Sequence, residues 1–145
     1  MVYEPREDSF LLQKYVKIYA KGKVLDLGSG SGIQALAALQ YTKDVLASDI
    51  DEETVSGLKK KGIKAVKSDL FENIKDRFDL IIFNPPYLPT IEKEDKELSK
   101  AISGGKKGYE LIERFLKEAK SHLIDKGKIL IVCSSLTGNV EGLFK

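Results

Sequence analysis

The chain is short of the residues that do much of the covalent and metal chemistry in proteins. Its 145 residues include one cysteine (Cys133), one histidine (His122), one methionine and no tryptophan. A lone cysteine excludes an intrachain disulfide, and the apolar, strand-like setting of Cys133 marks it as core. One histidine without nearby cysteines excludes the usual zinc sites, so no metal is expected. A Ser-His-Asp triad would have to use His122, and its place late in a helical stretch argues against that. An excess of charge of one sign is also missing. The 24 basic and 22 acidic side chains leave a net charge of +2, which is no strong footprint for nucleic acid. Lys59-Lys60-Lys61 and Lys106-Lys107 read as solvated faces or helix ends. No apolar run is long enough to span a bilayer. Met1 to Asp8 is charged and lacks the apolar core of a signal peptide. A soluble cytoplasmic protein away from membranes is therefore expected. Lys, Glu and Ile are plentiful while Asn, Gln, Cys and Met are few, a composition met in thermophile proteins.

What is present is an alternation of short apolar runs with amphipathic stretches. Phe10, Leu11, Tyr15, Ile18 and Tyr19 repeat at helical spacing, with Asp8 or Ser9 as cap. Strands are expected over Lys23–Leu27, Asp44–Ser48, Ile63–Val66, Asp79–Phe83 and Lys128–Cys133. Helices are expected over Ile33–Tyr41, Glu52–Lys61 (stopped by Gly62) and Tyr109–Leu123 (stopped by Gly127). Thr90–Lys100 is polar and highly charged and reads as a loop with a turn or two of helix. Strands that are near-continuous apolar runs have both faces buried. The expected fold is therefore an α/β doubly wound, mostly parallel sheet with helices on both faces. The length suits one domain, 1–145. Ligands of such sheets bind at the carboxyl ends of strands, near the point where strand order reverses.

The informative residues fall at those ends. Asp26-Leu27-Gly28-Ser29-Gly30-Ser31-Gly32 leaves the first strand and opens a helix. Its glycines permit a tight turn and close approach of a ligand. The spacing is G-x-G-x-G rather than the dinucleotide G-x-G-x-x-G, and no Gly-Lys-Ser/Thr follows, so it is no phosphate loop. Asp49 ends the second strand and can accept both hydroxyls of a ribose, or it can cap the next helix, a job Asp51 could also do. Asp69, after the third strand, can accept from an adenine amino group or be an ordinary turn aspartate. Asp26 can meet the amino end of a ligand or brace the turn. After the fourth strand comes Asn84-Pro85-Pro86-Tyr87. Proline fixes φ and restricts the residue before it, so Asn84 is held extended. Its side-chain oxygen and the Pro85 carbonyl form a pair of acceptors suited to a flat –NH2 group, on what is otherwise a rigid turn.

Taken together, these motifs resemble the successive motifs of class I S-adenosylmethionine-dependent methyltransferases. The Asn-Pro-Pro-Tyr form is similar to that of enzymes acting on amide or exocyclic amino nitrogens. Val2-Tyr3-Glu4-Pro5-Arg6-Glu7-Asp8-Ser9-Phe10-Leu11-Leu12 and Ala101-Ile102-Ser103-Gly104-Gly105-Lys106-Lys107-Gly108-Tyr109-Glu110 narrow the resemblance to the HemK/PrmC type. That type methylates the glutamine of the Gly-Gly-Gln loop in peptide chain release factors, and the N-terminal stretch is similar to its archaeal and eukaryotic branch. The resemblance implies a Rossmann-like fold and S-adenosyl-L-methionine as cofactor. It implies that Ser9, Asp26, Gly28, Gly30, Asp49, Asp69, Leu70 and Asn84 line the cofactor. It implies that Asn84, Pro85, Pro86 and Tyr87 frame the acceptor nitrogen. The implied partners are a release factor as substrate and a small zinc-binding activator protein.

One departure from the family pattern bears on the fold. Folds of this type carry two further strands after the fifth, for which Ser134–Lys145 is too short. The expectation is a truncated chain or an unusually short member lacking the last two strands. Its fifth strand would then be an exposed edge inviting self-association. Two competing readings use the same residues. One is a methyltransferase for the amino group of adenine or guanine, with Tyr87 stacked on a flipped base. The other is an inactive, truncated cofactor-binding protein that works through its exposed edge.

Overall fold

The structure, a computed structural model, describes residues 7–85 and 106–131, with side chains from 10 to 85 and from 110 to 131. It divides into two compact units. Of the described residues, one takes in those up to Asn84 together with 121–131, and the other takes in Pro85 and 106–120.

The first unit is built on a parallel sheet of five strands among the described residues: β1 (Lys23–Leu27), β2 (Asp44–Asp49), β3 (Ala65–Lys67), β4 (Phe78–Phe83) and β5 (Leu123–Ile131). Their order across the sheet is β3-β2-β1-β4-β5. Order reverses at β1, which pairs with β2 on one side and β4 on the other. The doubly wound parallel sheet expected from the sequence is thus present. Leu27 lies opposite both Ser48 and Phe83, and Asp49 lies opposite Lys67. The strand ends are therefore level, and the residues that follow them share one edge of the sheet.

Helices α1 (Glu7–Tyr19), α2 (Ile33–Leu39) and α3 (Glu52–Lys60) accompany the sheet. Leu12 and Val16 of α1, the alanines of α2 and Leu58 of α3 form one core with Val24, Val45, Ala47, Leu80 and Ile82. The alternating strand residues Leu25, Leu27, Ile81 and Phe83 are equally buried, so both sheet faces are covered. Each such side chain taken out of water contributes roughly 1.5–3 kcal/mol.

Helix α3 shows how the sequence sets its own limits. Asp51 is extended (φ −90°, ψ 121°) and accepts from Thr54 N at 3.1 Å and Thr54 Oγ1 at 2.6 Å. Glu52 and Glu53 lie in the first turn and Lys59 and Lys60 in the last, matching the helix dipole. At the far end Gly62 takes φ +82°. Gly62 N then donates to the Lys59 carbonyl and Ile63 N to the Leu58 carbonyl, the paired bonds of a left-handed glycine stop.

Element boundaries differ from the expected ones where tertiary pairing decides them. The first helix includes Asp8 and Ser9, so neither is its cap. The third strand runs Ala65–Lys67 rather than Ile63–Val66, because Ile63 completes the stop of α3 and enters the core. The last helix, α4 (Lys106–Ala119), ends early and passes into a 3-10 turn at Lys120–His122. Gly127 does not stop it, because β5 already begins at Leu123. Phe78 pairs with Leu123 and Leu80 with Lys128, so the residues from Ile124 to Gly127 bulge from the ladder, with Lys126 at φ +68°. In the second unit α4 is amphipathic, burying Ile112, Phe115 and Ala119, with Arg114 paired to Glu118 at 2.9 Å. The expected loop Thr90–Lys100 and the core assignment of Cys133 lie outside the described residues.

Candidate functional site

The level strand ends of the first unit bring Gly28–Gly32, Asp49–Asp51, Ser68–Leu70 and Asn84 to one edge of the sheet. The turn after β1 has Gly28, Gly30 and Gly32 at φ +69°, +57° and +86°. Compared with Gly28, Gly32 is more tightly enclosed. A Cβ there would lie 2.9 Å from both Ile63 Cδ1 and Leu58 Cδ2. Any side chain would strain the backbone and also displace the core beneath it.

Asp26 braces this turn from below. Its Oδ2 accepts from Ser29 Oγ at 2.7 Å and from Ala35 N at 3.0 Å, and the residue is 2% exposed. Burial pushes its carboxyl up to about 7, against the two hydrogen bonds that favour the charged form; Asp49 adds a smaller push in the same direction. Of the two sequence readings of Asp26, bracing the turn is the one seen. The raised value has a consequence for stability. The folded state holds this proton more tightly than the unfolded state, whose value is near 3.8. The resulting stabilisation is complete below pH about 4 and is lost as pH rises through about 7. Asp26→Asn keeps an acceptor oxygen and cannot ionise. Urea melts should show the variant gaining on the parent between pH 5 and pH 8, by on the order of a few kcal/mol. An unchanged difference across that range would rule out burial of the charge.

Asp49 closes the other side of the turn. Its Oδ2 accepts from Gly30 N at 3.1 Å and its Oδ1 from Asp51 N at 3.0 Å. A carboxylate has about four lone-pair sites, so each oxygen keeps one for a further donor. Asp49 is not the cap of α3, which is Asp51. Ile50, next to Asp49, is the most exposed large apolar side chain among the described residues, at 64%. It was not singled out from the sequence, where an apolar residue after a strand reads as a strand end. Lys61, at the end of α3, reaches back to the Ser31 carbonyl at 2.6 Å. Between the turn and α3 lies a hollow of about 430 Å3 whose lining includes Gly30, Ser31 and Asp51.

The third segment is held by Ser68. This buried side chain donates to the Leu70 carbonyl at 2.7 Å and accepts from Asn73 N at 3.0 Å. It holds Leu70 at φ +51°, a region that costs a bulky residue about 1–3 kcal/mol and that recurs at ligand sites. Asp69 is half-buried and Leu70 buried. Ser68 was missed from the sequence; a serine two residues before a strained position gives no local signal.

Asn84 is half-buried one residue beyond Phe83, and Pro85 after it is buried. The Ser9 side chain, Pro86 and Tyr87 lie outside the described residues, as do Val2–Arg6 and Ala101–Gly105 of the stretches quoted above. The described residues suit a nucleoside-type ligand. The glycine turn presents backbone without Cβ atoms, Asp49 offers paired acceptors, and Ile50 offers an apolar surface to a flat ring.

Comparison with known proteins agrees in kind. A protein of Methanocaldococcus jannaschii, provisionally named a protein N5-glutamine methyltransferase, is 41% identical over 99% of this chain and 78% of its own length. The chain spans about half the length of the bacterial relatives it matches. Among solved structures, the E. cuniculi Mtq2–Trm112 complex, responsible for methylation of the eRF1 termination factor, superposes with a TM-score of 0.61. It is 28% identical, over 80% of this chain and 67% of that one. A Bacteroides fragilis S-adenosylmethionine-dependent methyltransferase, solved with S-adenosyl-L-homocysteine, has a TM-score of 0.57 at 29% identity, over 81% of this chain and 44% of that one. From residue 7 to residue 143 the chain matches the model of the methyltransferase small domain, and it belongs to that family.

Proposed function

We propose that the chain is an S-adenosylmethionine-dependent N-methyltransferase that modifies the glutamine side-chain amide in the Gly-Gly-Gln loop of a peptide chain release factor. The observation that carries this reading is the Asp49 carboxylate, bound to Gly30 N and Asp51 N and still able to accept two hydroxyls beside a glycine turn. In this reading Asp49 takes the ribose, Ile50 and Leu70 flank the adenine, Asp69 accepts from its amino group, and Gly28, Gly30, Asp26 and Ser9 border the methionine half. The glutamine target rests on Asn84-Pro85-Pro86-Tyr87 and on the names of the relatives. Bound S-adenosylmethionine supplies a methyl group already activated on a sulfonium sulfur.

The protein's own task is then alignment. An amide nitrogen is a weak nucleophile because its lone pair is delocalised. Asn84 Oδ1 and the Pro85 carbonyl accept the two N–H groups and hold the lone pair toward the methyl. Such positioning can supply roughly 7–11 kcal/mol. The same two oxygens favour the positive charge that grows as the new N–C bond forms. The nitrogen becomes acidic as it is alkylated and gives its proton to solvent, so no general base is needed. Tyr87 stacks on the planar amide.

The reading treats 1–145 as one catalytic domain acting in the cytoplasm; no described helix is long and apolar enough to cross a membrane. A small activator protein that binds zinc is the partner we expect; the E. cuniculi relative was likewise solved in complex with a second protein, Trm112. The test is methyl incorporation from labelled S-adenosylmethionine into release factor, histone-like protein and DNA side by side, with and without such an activator. Label on the Gly-Gly-Gln glutamine is the expected result. Label on DNA alone would move the target to a nucleobase amino group. None on any substrate, with cofactor still bound, would leave a binding protein.

A further inference from the structure

His122, which has no part in the chemistry above, stacks on Phe71, the residue that follows Asp69 and Leu70. The ring centroids are 4.5 Å apart and the planes at 13°. Phe71 is buried. Nδ1 of the ring lies 3.0 Å from the Asp76 carbonyl. A carbonyl can only accept, so the hydrogen is on Nδ1. One residue further on, Arg77 Nη1 donates to the Leu123 carbonyl at 3.4 Å, and Phe78 pairs with Leu123. His122 therefore touches both ends of the segment from Phe71 to Asp76. Within that segment Glu72 N donates to the Asp69 carbonyl and Ile74 N to the Phe71 carbonyl. Ser68 ties the turn through the Leu70 carbonyl, and His122 holds the two ends of the segment that follows it.

We infer that His122 is a positioning residue for the adenine end of the cofactor site. It fixes Phe71 and the Asp76 carbonyl, and through them holds Asp69 and Leu70 in the conformation that receives the base. This inference rests on the assignment of Asp69 and Leu70 to the adenine. It requires no proton transfer by His122 and no contact between His122 and the ligand.

The test compares the parent protein with His122→Ala, His122→Phe, which keeps the stack, and His122→Asn, which keeps a donor. Affinity for S-adenosyl-L-homocysteine is measured by calorimetry and that for adenosine by competition, both well below each variant's melting temperature. His122→Ala should weaken both ligands by about 3- to 10-fold, the range for loss of an aromatic stack. Each conservative variant should recover part of that loss. Amide exchange at Glu72 and Ile74 should quicken in step with the loss of affinity. A lowered melting temperature with unchanged affinity for both ligands would make His122 merely structural and overturn the inference. So would a loss confined to S-adenosyl-L-homocysteine, which would put the effect away from the adenine. If His122→Ala does not fold, the two conservative variants decide, and parental affinity in both overturns it. Failure of the parent protein to bind S-adenosyl-L-homocysteine is a different result and removes the cofactor reading itself.

Discussion

Asn84→Ala should lower methyl transfer by about 10²–10³-fold, the range found when one preorganised partner of a developing charge is removed. Affinity for S-adenosyl-L-homocysteine should stay within about threefold of the parent, because the lost oxygen serves mainly the acceptor nitrogen. Asn84 stands just beyond Phe83, a buried residue paired with Leu27, so the recorded pairing of β1 with β4 ends before it. Single-turnover methylation and calorimetry on the same preparation separate the two effects. Full turnover by the variant would end the alignment mechanism. A parallel collapse of affinity and turnover would mean that Asn84 supports the cofactor pocket instead.

The second large effect is expected at Asp49. Two hydrogen bonds from ribose hydroxyls to a carboxylate contribute roughly 1.5–3 kcal/mol each. Asp49→Ala should then weaken S-adenosyl-L-homocysteine binding by about 100-fold or more. Part of that loss is indirect, since Gly30 N and Asp51 N lose their acceptor and the glycine turn loosens. Asp49→Asn retains one acceptor oxygen and should fall between the two, at about 10-fold. Calorimetry reads both values. Parental affinity in Asp49→Ala would show that the carboxylate only braces the loop.

The first, second and fourth strands were legible in the sequence because burial writes them as near-continuous apolar runs, while the short, half-exposed third strand was placed too early. The glycine turn was legible because left-handed backbone calls for glycine. Asp49 and Asp51 could be told apart only in space. Both are aspartates at the mouth of α3, and the cap is settled by which oxygen meets Thr54 N. The choice between the two readings of Asp26 could not be made from the sequence, and the role of Ser68 was hidden, for a related reason. Burial and the capture of distant backbone groups are properties of the packed turn and leave no mark on neighbouring residues. The start of β5 was misread because Leu123-Ile124 continues the helical pattern of α4, while its partner Phe78 lies 45 positions earlier in the chain. His122 suffered the same way, its stacking partner being set by that pairing.

The outward loop of β5 also separates two functions of one strand. Leu123 anchors the ladder near the amino end of β4, while Lys128–Ile131 run beside Leu80–Phe83 toward the site. A residue gained or lost between Ile124 and Gly127 would alter the size of the bulge and leave both paired segments in register. The fold thus contains an expansion joint, where chain length can drift over evolutionary time without moving Asn84 from its place.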